Sequence, residues 1–286
     1  MINALTFDVE EYFHAEAFAT VIRPEDWPTL ESRVVSSTER LLDLLERASV
    51  TATFFVLGWV AERNPGLVRS IGAAGHEVAC HGYGHQMITR LSRAEFADDI
   101  RRGKAAVEDA AGVAVVGYRA PTFSVVRETL WSLELLVEAG FRYDSSIFPI
   151  RHDRYGIPDA PRFPHRLAVG AGAGLGEFPL STVGGRSWRL PVAGGGYFRL
   201  LPYPVTRRAV RHLNEREGQP AIVYLHPWEL DPGQPRLPVG RLTRLRHSVN
   251  TTTTESKLRR LLEDFRFAPV REVLAGSGVL AAGGVA

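Results

Sequence analysis

Glu77-Val78-Ala79-Cys80-His81-Gly82-Tyr83-Gly84-His85 joins a short apolar strand to two imidazoles four residues apart. Side chains at that spacing converge as neighbours on a helical turn do, and the two glycines allow a tight backbone. A polar cluster directly after a buried strand is where βα-barrel enzymes place their chemistry. Taken alone, the pair reads either as two metal ligands or as a polar turn.

Outward from this stretch the chain alternates strand and helix. Upstream, Ile2 to Phe7 reads as a strand, and Ser36-Ser37-Thr38-Glu39 reads as a capping box opening a helix with Leu41, Leu44 and Leu45 inward. Thr51 to Leu57 reads as a buried strand, and Pro65 opens a helix that ends at Gly75. Downstream, Ser92-Arg93-Ala94-Glu95 caps a helix that stops near Gly112, Val113 to Tyr118 is a strand, and Tyr143-Asp144 is another. Residues 145–203 break the rhythm with Pro, Gly and Arg, leaving at most two short strands near Glu177 to Val183 and Trp188 to Pro191. A helix over Val205 to Arg216, a strand over Ala221 to Leu225, an irregular stretch at 230–250, a helix over Thr254 to Phe265 and a closing strand near Val270 complete the chain. Repeated βα units predict an α/β fold, a parallel barrel or barrel-like sheet, with long irregular insertions. No repeat or clean linker marks a second domain, so residues 1–286 read as one catalytic domain.

With 286 residues, 45% of them apolar, and no charge block, the composition is that of an ordinary globular protein. A net charge of +2 gives no electrostatic reason to expect nucleic acid as a partner. Cys80 is the only cysteine, which excludes an intrachain disulfide and a cysteine zinc cage. No secretory leader is recognisable before the first strand and no apolar run has the length of a transmembrane segment. The expected location is cytoplasmic, or peripheral to the inner membrane; whether the chain forms a homo-oligomer is left open.

The candidate chemistry sits at strand ends. Asp8 and Glu10 lie two apart, so along an extended segment both point the same way. A carboxylate there with His81 and His85 would make a His₂-carboxylate metal set with open positions, whereas alone the acids read as a solvated strand terminus. Arg119 follows another strand and reads as a partner of Asp8 or as a surface arginine. His226 follows an apolar strand and is a candidate general acid or a structural histidine. Asp144 reads as a partner that accepts from His226, or as a turn cap. His76 reads as a turn residue, and His14, His165, His212 and His247 show no partner.

Phe7-Asp8-Val9-Glu10, His81-Gly-Tyr-Gly-His85, Arg119-Ala-Pro121, Asp144-Ser-Ser and Leu225-His226-Pro227 occur in the order of the motifs of polysaccharide deacetylases. The chain resembles that chitooligosaccharide-deacetylase-like family of carbohydrate esterase type over nearly its whole length. It is most similar to a subgroup associated with exosortase-linked exopolysaccharide clusters. The segments that carry this likeness are Asp144-Ser-Ser-Ile-Phe-Pro, His152-Asp-Arg-Tyr-Gly-Ile-Pro, Gly194-Gly-Gly-Tyr-Phe-Arg-Leu and His226-Pro-Trp-Glu. An extra C-terminal region of that subgroup corresponds to residues of about 226–270. One departure stands out: the family pattern has two adjacent aspartates, and here Val9 occupies the second place.

The resemblance implies a distorted (β/α) barrel, seven-stranded, and hydrolysis of N-acetyl groups on hexosamines of an N-acetylated polysaccharide or oligosaccharide. It implies one divalent metal ion, zinc, on Glu10, His81 and His85, with Asp8 as base and Arg119 holding Asp8. It further implies His226 as the acid tuned by Asp144, the Thr122 backbone N–H at the oxyanion, and Tyr155 and Trp228 as substrate contacts. Two alternatives remain at this stage: a metal-independent amidase of the same fold acting on a small amide, and a non-catalytic carbohydrate-binding protein.

Overall fold

The computed structural model describes residues 1–170, 173–185, 188–235, 237, 239–240 and 249–281. His247 lies outside them, as does part of the 230–250 stretch. The core is built on β1 (Ile2–Val9), β2 (Thr53–Val56), β3 (Glu77–Cys80) and β10 (Ile222–Leu225), in which every residue but Ile2 is buried. Strands buried on both faces and rich in Val, Ile, Leu and Phe belong to parallel sheets covered by helices. These four run parallel in the order β10-β1-β2-β3, with Phe7 opposite both Leu225 and Phe54.

The sheet continues through two-residue strands, β4 (Gly117–Tyr118) and β5 (Tyr143–Asp144), to β7 (Ala173–Glu177), with β6 (His165–Val169) antiparallel at its edge. Strands β10, β1, β2, β3, β4, β5 and β7 form a path of seven parallel strands, and an eighth, β11 (Arg266–Ala268), pairs parallel with the start of β1 off that path. Among the described residues the ladder does not close into a full barrel: β6 ends one edge, and at the other Gly194 makes a single parallel bridge to Tyr224 of β10. A separate hairpin pairs β8 (Thr182–Gly184) with β9 (Arg189–Pro191).

The helices follow their caps. In α4 (Arg93–Ala111), Ser92 accepts from the Glu95 N–H while the Glu95 carboxylate takes the Ser92 N–H, and Gly112 ends the helix in the left-handed region. The order is completed by α2 (Gly58–Arg63), α3 (Pro65–Ala73), α5 (Ser132–Glu138), α6 (Gly195–Leu200), α7 (Tyr203–Glu215) and α8 (Thr251–Asp264).

Four expectations are corrected. The first helix, α1 (Val34–Ala48), starts before Ser36, because the Glu11 carboxylate accepts the Arg33 N–H and caps the helix from far away in sequence. Only Gly117 and Tyr118 of the Val113–Tyr118 stretch form a strand. Residues 145–203 hold four strands and a helix rather than at most two strands, and β7 joins the main sheet. The closing strand is β11 (Arg266–Ala268), paired with the start of β1, and Val270 begins a helix, α9 (Val270–Gly276), after Pro269.

Candidate metal and acid–base site

The His81–His85 loop is not helical, and the two rings converge by another route. Gly82 has φ of 73° and His85 φ of 50°, which fold the loop back and bring the ring centroids to 5.5 Å. Asp99 on α4 fixes the turn by accepting from the Tyr83 and Gly84 N–H groups at 2.9 and 3.0 Å. The Gly58 N–H donates to the Gly82 carbonyl from the start of α2, at 2.8 Å. His81 Nδ1 lies 2.8 Å from the Arg119 carbonyl and must donate to it, so its Nε2 keeps a free lone pair. Burial lowers the His81 pKa to about 4, which keeps the ring neutral.

Opposite the pair stands Glu10, one residue beyond β1. Its Oε2 is buried, has no partner in hydrogen-bond geometry, and lies 2.5 Å from His85 Nε2 and 3.9 Å from His81 Nε2. Donor atoms of Glu10, His81 and His85 all fall within 4.8 Å of one another. A buried, ionised oxygen set beside two imidazole nitrogens suits a divalent cation with nitrogen and oxygen ligands. Burial would raise the Glu10 pKa, but the His85, His226 and His81 rings outweigh it and hold the carboxyl well below the usual carboxylate range. Glu11 is not a competitor, since its side chain turns away to Ser32 and Arg33.

Asp8, on the same side as Glu10, receives Arg119 Nη1 on Oδ1 at 2.7 Å. Arg119 is fully buried and well satisfied: it also donates to Thr6 Oγ1, the Ser145 carbonyl and Ser145 Oγ. Across the site His226 Nε2 lies 4.0 Å from Asp8 Oδ2 and 3.7 Å from Glu10 Oε1. Its Nδ1 is 3.0 Å from Glu229 Oε2, and Arg199 Nε donates to Glu229 Oε1 at 2.5 Å. Burial alone would lower the His226 pKa, yet the Glu229 hydrogen bond and the Glu10, Glu229 and Asp8 charges lift it to about 9.

The structure therefore brings Asp8, Glu10, His81, His85, Arg119 and His226 together. It does not bring Asp144 to His226. Asp144 accepts from Ser146 Oγ and the Ser146 N–H, beside Glu177 across β5 and β7, and the place expected for it is taken by Glu229. Trp228 is likewise corrected from a substrate contact: it is 5% exposed, stacks on the His226 ring at 4.8 Å and donates from Nε1 to Glu10 Oε1 at 3.3 Å. Thr122 sits in the turn after β4 with φ of 55°, followed by Phe123 at 52°, a strained left-handed pair beside Arg119. Tyr155 is half-buried, sandwiched between His152 and Phe148, with its edge toward Phe123.

Three neighbours of the site went unread in the sequence. Glu229 and Arg199 are two; the x-x-Glu spacing after His226 was the available signal, because the Glu229 carboxylate also takes the His226 N–H. The third is His14, whose buried ring stacks near His85 at 6.1 Å between Trp27 and Trp59.

Residues 4–143 match the polysaccharide deacetylase family, and residues 145–275 match a family described only as a domain of unknown function (DUF3473). Residues 4–143 thus form a polysaccharide deacetylase domain. Among its curated relatives, a peptidoglycan-N-acetylglucosamine deacetylase of Listeria monocytogenes is 38% identical over 93 residues, 32% of this chain and 20% of its own length. A peptidoglycan deacetylase of Helicobacter pylori is 33% identical over 127 residues, 43% of this chain and 42% of its own. The chain thus spans less than half the length of these relatives. A solved polysaccharide deacetylase structure from Mycobacterium smegmatis superposes with a TM-score of 0.64 at 24% identity, covering 100% of this chain and 93% of that one, and supports the fold.

Proposed function

We propose that the chain is a metal-dependent hydrolase that removes N-acetyl groups from hexosamines of a bacterial polysaccharide. The observation that carries it is the convergence, around one point, of the Glu10–His81–His85 cluster, an arginine-held carboxylate and a carboxylate-held imidazole. A divalent ion, with zinc the natural choice for this donor set, would polarise the acetyl carbonyl and acidify water. Asp8, oriented by Arg119, takes a proton from the attacking water. As the C–N bond breaks, its electron pair stays on nitrogen, which takes the Nε2 proton of His226; acetate leaves with the water oxygen. An amine is a poor leaving group, and an acid facing the base answers that requirement. The exopolysaccharide setting is supported by the subgroup segments between Asp144 and Glu229.

The test is acetate release from N-acetylglucosamine oligomers, before chelation, after it, and with zinc restored. Activity should vanish on chelation, return with zinc, and be lost in Asp8→Asn. Full activity in the chelated enzyme would overturn the metal mechanism in favour of a metal-free amidase. His226→Ala should lower turnover at least a hundredfold while leaving bound zinc unchanged by elemental analysis.

A further inference from the structure

The side chains that orient the His226 ring through Nδ1 and by stacking come from one part of the chain. Glu229 is fully buried and its Oε2 accepts two hydrogen bonds from the same residue, the His226 N–H at 2.9 Å and Nδ1 at 3.0 Å. A carboxylate only accepts, so Nδ1 carries a hydrogen and Nε2 is the atom presented to Asp8 and Glu10. The other oxygen of Glu229 is held by Arg199, itself 3% exposed. Arg199 is fixed in turn: its Nη1 donates to the Val249 carbonyl, and its own carbonyl receives Asn250 Nδ2 and Lys257 Nζ. Trp228 lies nearly parallel on the imidazole, with 19° between planes, and blocks ring rotation. All of these residues fall within 145–275, the region matched to a family without a function, whereas the base and the metal cluster fall within 4–143.

We infer that residues 145–275 are the half of the active site that carries and orients the leaving-group acid, with Glu229 and Arg199 as positioning residues for His226. The inference rests on the deacetylase reading above. It predicts a dependence on the leaving group that a purely structural role would not produce. An amine must be protonated as it departs, while 4-nitrophenolate departs as a stable anion. The region therefore matters for amides far more than for activated esters.

The zinc-loaded full chain is assayed on N-acetylglucosamine oligomers and on 4-nitrophenyl acetate. In Glu229→Gln the ratio of amide to ester turnover should fall at least tenfold, and His226→Ala should show the same signature. In the His226→Ala background, Glu229→Gln should have no further effect on the amide, because the two act as a unit. Should Glu229→Gln fail to fold, the charge-neutral pair Arg199→Met with Glu229→Gln supplies the same measurement. Equal loss on both substrates, or additive losses in the double variant, overturns the inference alone. No acetate release from oligomers by the wild-type enzyme, with ester hydrolysis intact, overturns the deacetylase reading and this inference with it.

Discussion

His76 is a buried imidazole and His226 a partly buried one, and their neighbours send them in opposite directions. His226 faces carboxylates and holds its proton to about pH 9. His76 faces none of them: its Nδ1 accepts the Ala52 N–H at 3.2 Å, its ring rests on Phe54, and burial lowers its pKa to about 4. A histidine kept neutral in the fold supports stability fully above its unfolded pKa of about 6.5, and that support is lost as the pH falls toward 4. Between pH 7 and pH 5 the urea midpoint should therefore drop by on the order of 0.5 M more in wild type than in His76→Gln. Equal drops would show that His76 does not govern the acid limb. The same contrast explains which residues were legible in the sequence. Asp8, Glu10, His81, Arg119 and His226 stand just at or after buried strands, so period and position alone bring them to one end of the sheet. The partner of His226 was misassigned to Asp144 because a long-range carboxylate and a local one, Glu229, look alike in sequence; only the turn at Pro227 decides between them.

Helix α4 presses its backbone onto the metal-site loop, and the contact is as close as glycine permits. A Cβ on Gly103 would lie 2.6 Å from the Gly82 carbonyl carbon and 2.9 Å from the Tyr83 nitrogen, with no flexible side chain able to yield. Gly103→Ala should push α4 away, cost about 1–3 kcal/mol, and weaken zinc binding at least tenfold. Calorimetry and competition with a chelator measure the two effects. Gly72 in α3 is the counter-example, with open space around the added carbon. Gly72→Ala should gain about 0.5–1 kcal/mol in the same calorimetry without changing zinc affinity. Elements with self-contained signals were readable for the same reason that these effects are local. Ser92, Glu95 and Gly112 specify both ends of α4 by themselves, whereas the start of α1 depends on Glu11 and could not be read nearby. Strand β7 was missed because its glycine-rich sequence is a poor strand former, held by pairing to β5 and β6.

At the scale of the molecule, the two family regions share one sheet. Strand β1 lies between β2 from the first region and β10 from the second, and the buried Arg119 reaches across to Ser145. Residues 1–144 alone would expose the β10 side of β1 and leave Asp8 and Glu10 without His226. That fragment should show no cooperative thermal transition and no zinc-dependent ester hydrolysis, measured by circular dichroism and 4-nitrophenyl acetate turnover. A cooperatively melting fragment would mean that the first region folds by itself.

The position of β1 also sets a clock. Ala4 must find Ile222, while Thr6 need only find Thr53. Closing the longer loop costs only about 1.4 kcal/mol more than the shorter one, so stability is barely affected. Time is affected far more. At roughly 5–20 residues per second, a ribosome needs about 10–40 seconds to reach β10 after completing β1. Through that interval the strand that carries Asp8 and leads into Glu10 has a bare hydrogen-bonding edge, and the nascent chain must keep it from pairing with anything else.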